Sequence, residues 1–344
     1  MASGVQRPHG QHGAMTSPSG ARVRARLFDA DQRDERLEPE AAFAARPTDR
    51  QLLWIDLTGD ATVEEVMRLA PLLDLKPRTL RGLARQDPEP FVAINRDYLH
   101  VRVAADPSDT DDRPSAWLDV VSGRNVIITQ HDRPIAYLGD VDTRIERDAT
   151  AGSLSAAAFF TILVDGAIAA YHAAVDAIEQ DVDRLDAAAL RGRAPDGALR
   201  DLVRCRRRIA HLRRLLADHR PVFTALGSPE LASVVEDHDE VALVAALAAR
   251  FEGALSAVEE SREALLGSFD VYMSQTAQRT NEVMKVLTLA TVLLLPGSMV
   301  AGLLGMNVVV PLNKDDPMSF WIVVGAIAIL AVAIVAVALR RRWL

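Results

Sequence analysis

The sequence predicts an α+β body followed by a long stalk helix that continues into a C-terminal hairpin of two transmembrane helices. Three observations carry this. Residues 21–150 contain short apolar runs separated by turn residues, the pattern of strands and hairpins. From Ser153 the chain turns alanine-rich, and its apolar positions recur with a helical period. Beyond Lys285 two stretches lose charge altogether, which a soluble core helix has no reason to do. The averages over all 344 residues conceal this division: 49% hydrophobic, 25% charged, net charge −8 and a mean hydropathy of +0.06 read as one mildly acidic soluble protein. They do exclude a disordered chain. The acidic balance argues against a nucleic-acid partner, and the single cysteine, Cys205, rules out an internal disulfide framework or a cysteine zinc site.

Residues 1–20 are Gly, Ser, Gln, His and Pro without apolar periodicity and read as a disordered tail. His9 and His12 are metal donors by type, yet nothing around them builds a site. In 21–150, Leu52–Leu57 reads as a strand closed by Thr58-Gly59, and Thr62 begins a helix with Glu64 and Glu65 in its first turn. Phe91–Ile94 with Tyr98–Ala104, and Trp117–Val121 with Asn125–Gln130, read as two hairpins, with Asp106–Pro114 a loop between them. None of these strands is followed by a glycine-rich phosphate loop or a nucleophile elbow, so no enzyme site is predicted.

Residues 151–228 read as a helical hairpin. Ser153–Leu190 forms its first arm, Ala194–Gly197 the break and Ala198–His219 the second arm, with Pro221–Pro229 a connection. The second arm is strongly basic, carrying Arg200, Arg204, Arg206, Arg207, Arg208, Arg213 and Arg214. A basic helix suits lipid headgroups or nucleic acid, but pairing with the acids of Asp176–Asp186 and Glu236–Glu240 explains it as well. Asp237-His238-Asp239-Glu240 supplies oxygen ligands by type, although consecutive residues splay around a helix and read as a solvated turn. Ser228-Pro229 is a cap and first-turn pair, and the helical pattern then runs to about Leu304. At ~1.5 Å per residue that is about 110 Å, too long for a globular core to bury. Its first part, 229–284, is the predicted stalk.

Residues 285–304 and 320–339 are the two spans, the second of about 20 residues with no charge, enough to cross ~30 Å of hydrocarbon. Trp321 and Trp343 sit where interfacial aromatics sit. Lys285 precedes the first span and Arg340-Arg341-Arg342 opens the basic C-terminus, 340–344, while the 305–319 connection is net acidic. The positive-inside rule therefore places both termini in the cytoplasm of a multi-pass membrane protein and the loop outside. The first span is no plain anchor. At ~100° per residue, Asn281, Met284, Leu287, Thr291, Leu295, Ser298, Gly302 and, earlier, Asp270 fall within about a third of the helix circumference. A helix–helix contact through small residues accounts for such a stripe, and so does a water-filled pore.

These residues carry a resemblance. Gly305-Met306-Asn307 directly after the first span, Thr280–Thr288 entering that span, and a basic-Trp-Leu ending resemble the CorA family of magnesium and cobalt transporters. The close match covers about residues 268–344. The resemblance implies a funnel-shaped homopentamer in the cytoplasmic membrane, with the lipid bilayer and divalent cations as its partners. It implies a selectivity filter at Gly305, Met306 and Asn307, with an Asn307 ring holding a still-hydrated Mg²⁺. Mg²⁺ sheds water reluctantly, so a first filter of neutral oxygens is chemically sound. Gly305 is expected to permit a tight turn. Met284 and Leu287 match a hydrophobic gate, while Asn281 and Asp270 match polar rings at the cytoplasmic entrance. No resident cofactor is implied, only transported Mg²⁺, with Co²⁺ and Ni²⁺ as further candidates.

The sequence departs from the family pattern in three places. The stretch expected to carry a regulatory carboxylate is Ala245–Ala249, so a regulatory Mg²⁺ site is not matched. Leu295 stands where a Met is common. The outer loop has Asp315 and Asp316 in place of the usual Met-Pro-Glu-Leu; they attract cations locally or simply make a hydrophilic loop tip. Two alternatives to Mg²⁺ transport differ in kind: a zinc transporter of the same superfamily, against which the intact Gly-Met-Asn counts, and a membrane-anchored scaffold, against which the stripe counts.

Overall fold

Helix and strand formation in the N-terminal half follows local rules. The elements in chain order are β1 (Arg22–Asp29), β2 (Glu35–Leu37), α1 (Pro39–Ala44), β3 (Gln51–Thr58), α2 (Val63–Leu73), α3 (Pro77–Arg85), β4 (Phe91–Ile94), β5 (Leu99–Asp106), β6 (Ala116–Ser122), β7 (Val126–His131), α4 (Ala136–Arg147), α5 (Ala156–Leu190), α6 (Ala198–Leu226), α7 (His238–Gly305) and α8 (Pro317–Arg340). The computed structural model describes residues 22–31, 34–85, 88–107, 114–147, 155–191, 197–235, 237–305 and 317–340. The tail at 1–20 with His9 and His12, the Met306 and Asn307 pair, the loop acids Asp315 and Asp316, and 341–344 lie outside them. The chain divides into two units: residues 1–183 with 200–265, and residues 184–199 with 266–344.

In the first unit the strands form one sheet in the order β2-β1-β3-β7-β6-β5-β4. The β4–β5 and β6–β7 hairpins pair antiparallel as the turn residues predict. β3 and β7 instead run parallel, with Leu53 opposite Val126. On one face Leu53, Ile55, Leu57, Val121 and Ile128 pack under Val66 and Leu69 of α2 and Leu83 of α3. Each such side chain, fully buried, contributes roughly 1.5–3 kcal/mol. α2 starts where the sequence says it should: Thr62 accepts the Glu65 N–H while the Glu65 carboxylate accepts the Thr62 N–H, a reciprocal cap. On the other face Trp54 and Phe28 pack against Phe159 near the start of α5.

Two buried carboxylates sit in the sheet, each fully partnered as burial demands. Asp56 accepts bonds from Arg24 (2.7 Å), Thr129 (2.7 Å) and His131 (3.0 Å). Burial pushes its carboxyl up, but the His131, Thr129 and Arg24 bonds prevail and hold it below the usual range. Asp119 accepts from His100 (2.7 Å) and Arg102 (2.9 Å).

α5, α6 and α7 form a helical bundle on this unit. α5 and α7 run parallel: Ser261 of α7 donates to Glu179 of α5, 82 positions earlier. α6 runs antiparallel to both, Arg208 pairing with Asp181, and Arg213 and Arg220 with Glu259 and Glu252. The buried α7 positions Val244, Leu247, Phe251, Ala254, Val258, Ser261 and Leu265 step by threes and fours, a heptad seam. The arginine helix is therefore an interhelical face in part, but its α7 partners are Glu252 and Glu259. The acids near Glu240 lie too close to the start of α7 for an antiparallel α6 to reach.

Two expected boundaries move. The second bundle helix, which the sequence predicts to end at His219, runs to Leu226, through Pro221. A proline inside a helix costs roughly 3 kcal/mol, and burying Val222, Phe223 and Leu226 offsets it; Phe223 stacks on Phe251 at 4.2 Å. The long helix was expected from Pro229 and begins at His238. Pro229–Ser233 forms a separate 3₁₀ turn, and Asp237 then caps α7 by accepting the Asp239 N–H at 2.7 Å. The Asp237–Glu240 acids are thus a helix start.

In the second unit α7 runs on to Gly305 and packs with α8. Ser268 donates to Asp186 at 2.7 Å, again 82 positions apart. α5 is also apolar enough to cross a membrane by composition, but half of that stretch is buried, whereas the apolar stretches of α7 and α8 contain no fully buried residue.

Candidate functional site

The predicted stripe lies on the membrane-length part of α7. Asp270, Asn281, Met284, Leu287, Thr291, Leu295, Ser298, Gly302 and Gly305 are all exposed. Among the described positions from 281 to 305, the half-buried ones are Leu289, Leu293, Pro296, Gly297 and Val300. At ~100° per residue these five centre almost diametrically opposite the stripe. They face α8: a Cβ placed on Gly297 stands 3.7 Å from the Ile327 side chain. The hairpin therefore covers one side of α7 with its own second helix and, among the described residues, leaves the polar stripe exposed. In a bilayer such a face is costly unless it meets water or another helix.

The hydroxyls on this face have a common geometry. Thr288 donates to the Met284 carbonyl at 2.7 Å, Thr291 to Leu287 at 2.9 Å and Ser298 to Leu294 at 2.8 Å. Their protons are spent inside the helix, so each oxygen presents lone pairs outward. A ladder of neutral acceptors suits the outward-pointing hydrogens of a hydrated cation. Thr288 belongs to this ladder, although it is not among the residues of the predicted stripe. The three-four spacing Asn281, Met284, Thr288, Thr291, Leu295, Ser298, Gly302 contains it, and Leu287 sits at the edge of the stripe.

Gly305 is the last residue of α7 and keeps a helical backbone; among the described glycines only Gly59 and Gly197 have positive φ. The tight turn expected of Gly305 is not made at that residue. Among the described residues no three His, Cys, Asp or Glu side chains cluster closely enough to hold a metal ion. A cleft of about 810 Å³ in the first unit, lined by Arg50, Arg96, Arg124, Asp97 and Glu240 among others, contains none of the candidate residues. Cys205 is buried, which pushes its thiol up.

The long bundle helix α7 thus continues without a break into the membrane-length segment that carries the stripe, and α8 supplies a second helix apolar enough to cross a membrane. The chain belongs to the CorA-like Mg2+ transporter protein family, whose model matches residues 49–341. It is similar to the cobalt/magnesium transport protein CorA of Thermotoga maritima, 22% identical over 85% of this chain and 83% of that one. It is also similar to the divalent cation transporter CmaX of Pseudomonas aeruginosa, 29% identical over 72% and 71%. Its fold matches the complete structure of the CorA magnesium transporter from Methanocaldococcus jannaschii with a TM-score of 0.69, at 20% identity, covering 94% of this chain and 98% of that one.

Proposed function

We propose that this chain assembles as a homopentamer in the cytoplasmic membrane and conducts Mg²⁺ inward, with Co²⁺ and Ni²⁺ as further cargo. The observation that carries this reading is the stripe facing away from α8. One hairpin cannot enclose a pore, so the stripe gains a water-filled surface only when several copies surround an axis. In this reading Gly305, Met306 and Asn307 form the outer filter, which holds the ion through its hydration shell. Thr288, Thr291 and Ser298 accept from that shell along the pore. Met284, Leu287 and Leu295 narrow it by excluding water, and Asn281 and Asp270 line the exit to the cytoplasm. Both termini lie inside, where Lys285 and Arg340 favour them. No pump chemistry is required, because a divalent ion gains about 4.6 kcal/mol per 100 mV on moving inward, twice the single-charge value.

The test is Mg²⁺ flux into proteoliposomes. Wild-type protein conducts, and Asn307→Ala loses most of the flux while keeping its oligomeric mass. Undiminished flux in Asn307→Ala removes the filter assignment, and flux absent from the wild type removes transport altogether. Competition with Zn²⁺ in the same assay decides between Mg²⁺ and Zn²⁺ as cargo.

A further inference from the structure

The helical bundle is electrically two-sided, and its charges fall at matching heights. On α6 the buried positions Leu202, Cys205, Ile209, Leu212 and Leu216 define one face. At ~100° per residue Arg207 and Arg214 stand at the centre of the opposite, exposed face. On α5 the outward face carries Asp176 and Asp183, also exposed. Among the described residues the side chains of these four make no hydrogen bond or ion pair. Each pair is spaced by seven positions, two helical turns.

Their heights follow from the contacts that set the bundle's register. Arg213 pairs with Glu259 on antiparallel α7. Arg207, six positions before Arg213, is therefore level with Leu265, and Arg214 with Val258. Glu179 pairs with Ser261 on parallel α7. Asp183, four positions after Glu179, is level with Leu265, and Asp176, three before it, with Val258. The two arginines of one face and the two aspartates of another thus share the same two levels.

We propose that α6 of one copy packs against α5 of the next copy of this chain, Arg207 meeting the neighbouring copy's Asp183 and Arg214 its Asp176. This rests on the reading that copies surround an axis running along the α7 helices. Rotation about such an axis preserves height, so only residues at equal levels can meet. A two-fold contact brings the same patch of both copies together and would set arginine against arginine, whereas a head-to-tail ring sets the basic face against the acidic one. Exposed ion pairs are weak singly, but a closed ring repeats them at every interface, and like charges at the wrong partner are rejected.

The experiment uses the full-length chain in detergent, its mass followed by mass photometry on dilution. In Arg207→Glu with Arg214→Glu, and separately in Asp176→Arg with Asp183→Arg, the concentration for half-dissociation rises at least tenfold. In the quadruple variant, which exchanges the charges, it returns to within threefold of the wild type. Wild-type assembly in both double variants overturns the proposal. So does failure of the quadruple variant to recover while its thermal melt matches the wild type. A second measurement introduces Arg207→Cys and Asp183→Cys in a Cys205→Ser background and adds a short bismaleimide. A ladder of linked copies that stops at the ring size is expected, and the absence of any ladder overturns the contact. Flux is recorded on the same preparations. A ladder without wild-type flux removes the transport reading and leaves this contact standing; flux without a ladder does the reverse.

Discussion

His219 of α6 accepts the backbone N–H of Ala104 in β5 through Nε2 at 2.9 Å, across 115 positions of sequence. Its Nδ1 donates to the Leu215 carbonyl at 2.6 Å, and its ring stacks on Trp117 with centroids 5.5 Å apart. One neutral imidazole in one tautomer thus pins the bundle to the sheet, next to the register shift between Ala104 and Asp106 in β5. Burial pushes its pKa down to about 4, below the 6.5 of a free histidine, against the smaller upward effects of the Leu215 bond and Asp218.

The pH dependence follows from that shift. A group whose pKa is lowered on folding binds fewer protons in the folded state than in the unfolded one. The stability due to neutral His219 is full above pH 6.5 and is lost as the pH falls toward 4, about 3 kcal/mol in all. Thermal unfolding of the detergent-solubilised chain will show a steeper loss of Tm between pH 6.5 and 4.5 in the wild type than in His219→Gln. Parallel curves for the two would refute the assignment.

The Asp119 cluster makes a second prediction. Arg102 is almost fully buried and bonds both Asp119 and the Gly82 carbonyl. Asp119→Ala takes from that buried guanidinium the carboxylate that offsets its charge, a loss of roughly 3–5 kcal/mol, or a fall of about 10 °C in Tm for a body of this size. Asp119→Asn keeps an acceptor for Arg102 and loses less. A fall of under ~3 °C in Asp119→Ala would mean that water reaches Arg102.

What the sequence revealed, and what it hid, divides by the range of the signal. The uncharged spans and the stripe from Asn281 to Gly302 depend only on neighbours within a few turns, so local periodicity exposes them. The β4–β5 and β6–β7 hairpins close over short turns and were equally legible. β1 was not, because Arg22, Arg24 and Arg26 make an RVRARLFD strand look polar; the first and third of these sit opposite Thr58 and Trp54, and Arg24 opposite Asp56, a pairing made only in three dimensions. The parallel β3–β7 pair joins residues 73 positions apart, as in Leu53 with Val126. Nothing local announces it. Of the partners expected for the arginine helix, Asp181 on α5 is found, but those on α7 were misplaced for the same reason, since Arg213 finds Glu259 only after α6 turns back along α7. Thr288 was legible in principle, for it falls on the same three-four spacing as its neighbours.

The close approach of α7 and α8 at Gly297 gives a third prediction. With Ile327 at 3.7 Å from a notional Cβ, alanine fits in ordinary contact and Gly297→Ala keeps flux within about twofold of the wild type. Gly297→Leu wedges the two helices apart, and overpacking of this kind costs typically 1–3 kcal/mol. That variant will lose flux and assembly together. Equal flux in Ala and Leu variants would show that the hairpin is looser than this contact implies.

The last prediction concerns the hydroxyl ladder. Thr288→Val and Thr291→Val keep shape and β-branching but replace an outward oxygen with a methyl, so a hydrated ion passing that level loses an acceptor and meets an apolar ring. Each should lower Mg²⁺ flux about tenfold, equivalent to about 1.4 kcal/mol in the barrier, with assembly unchanged. Leu293→Val, on the α8-facing side of the same helix, serves as the control and should leave flux near wild type. If the ladder were only a helix–helix seam, the valine variants would pack at least as well as threonine in lipid, and their flux would match the wild type. Thr288 separates the two cases best. Leu287 is its neighbour in sequence but lies at the stripe's edge, so a loss at Thr288 exceeding that of Leu287→Ala places the ion path over the hydroxyls.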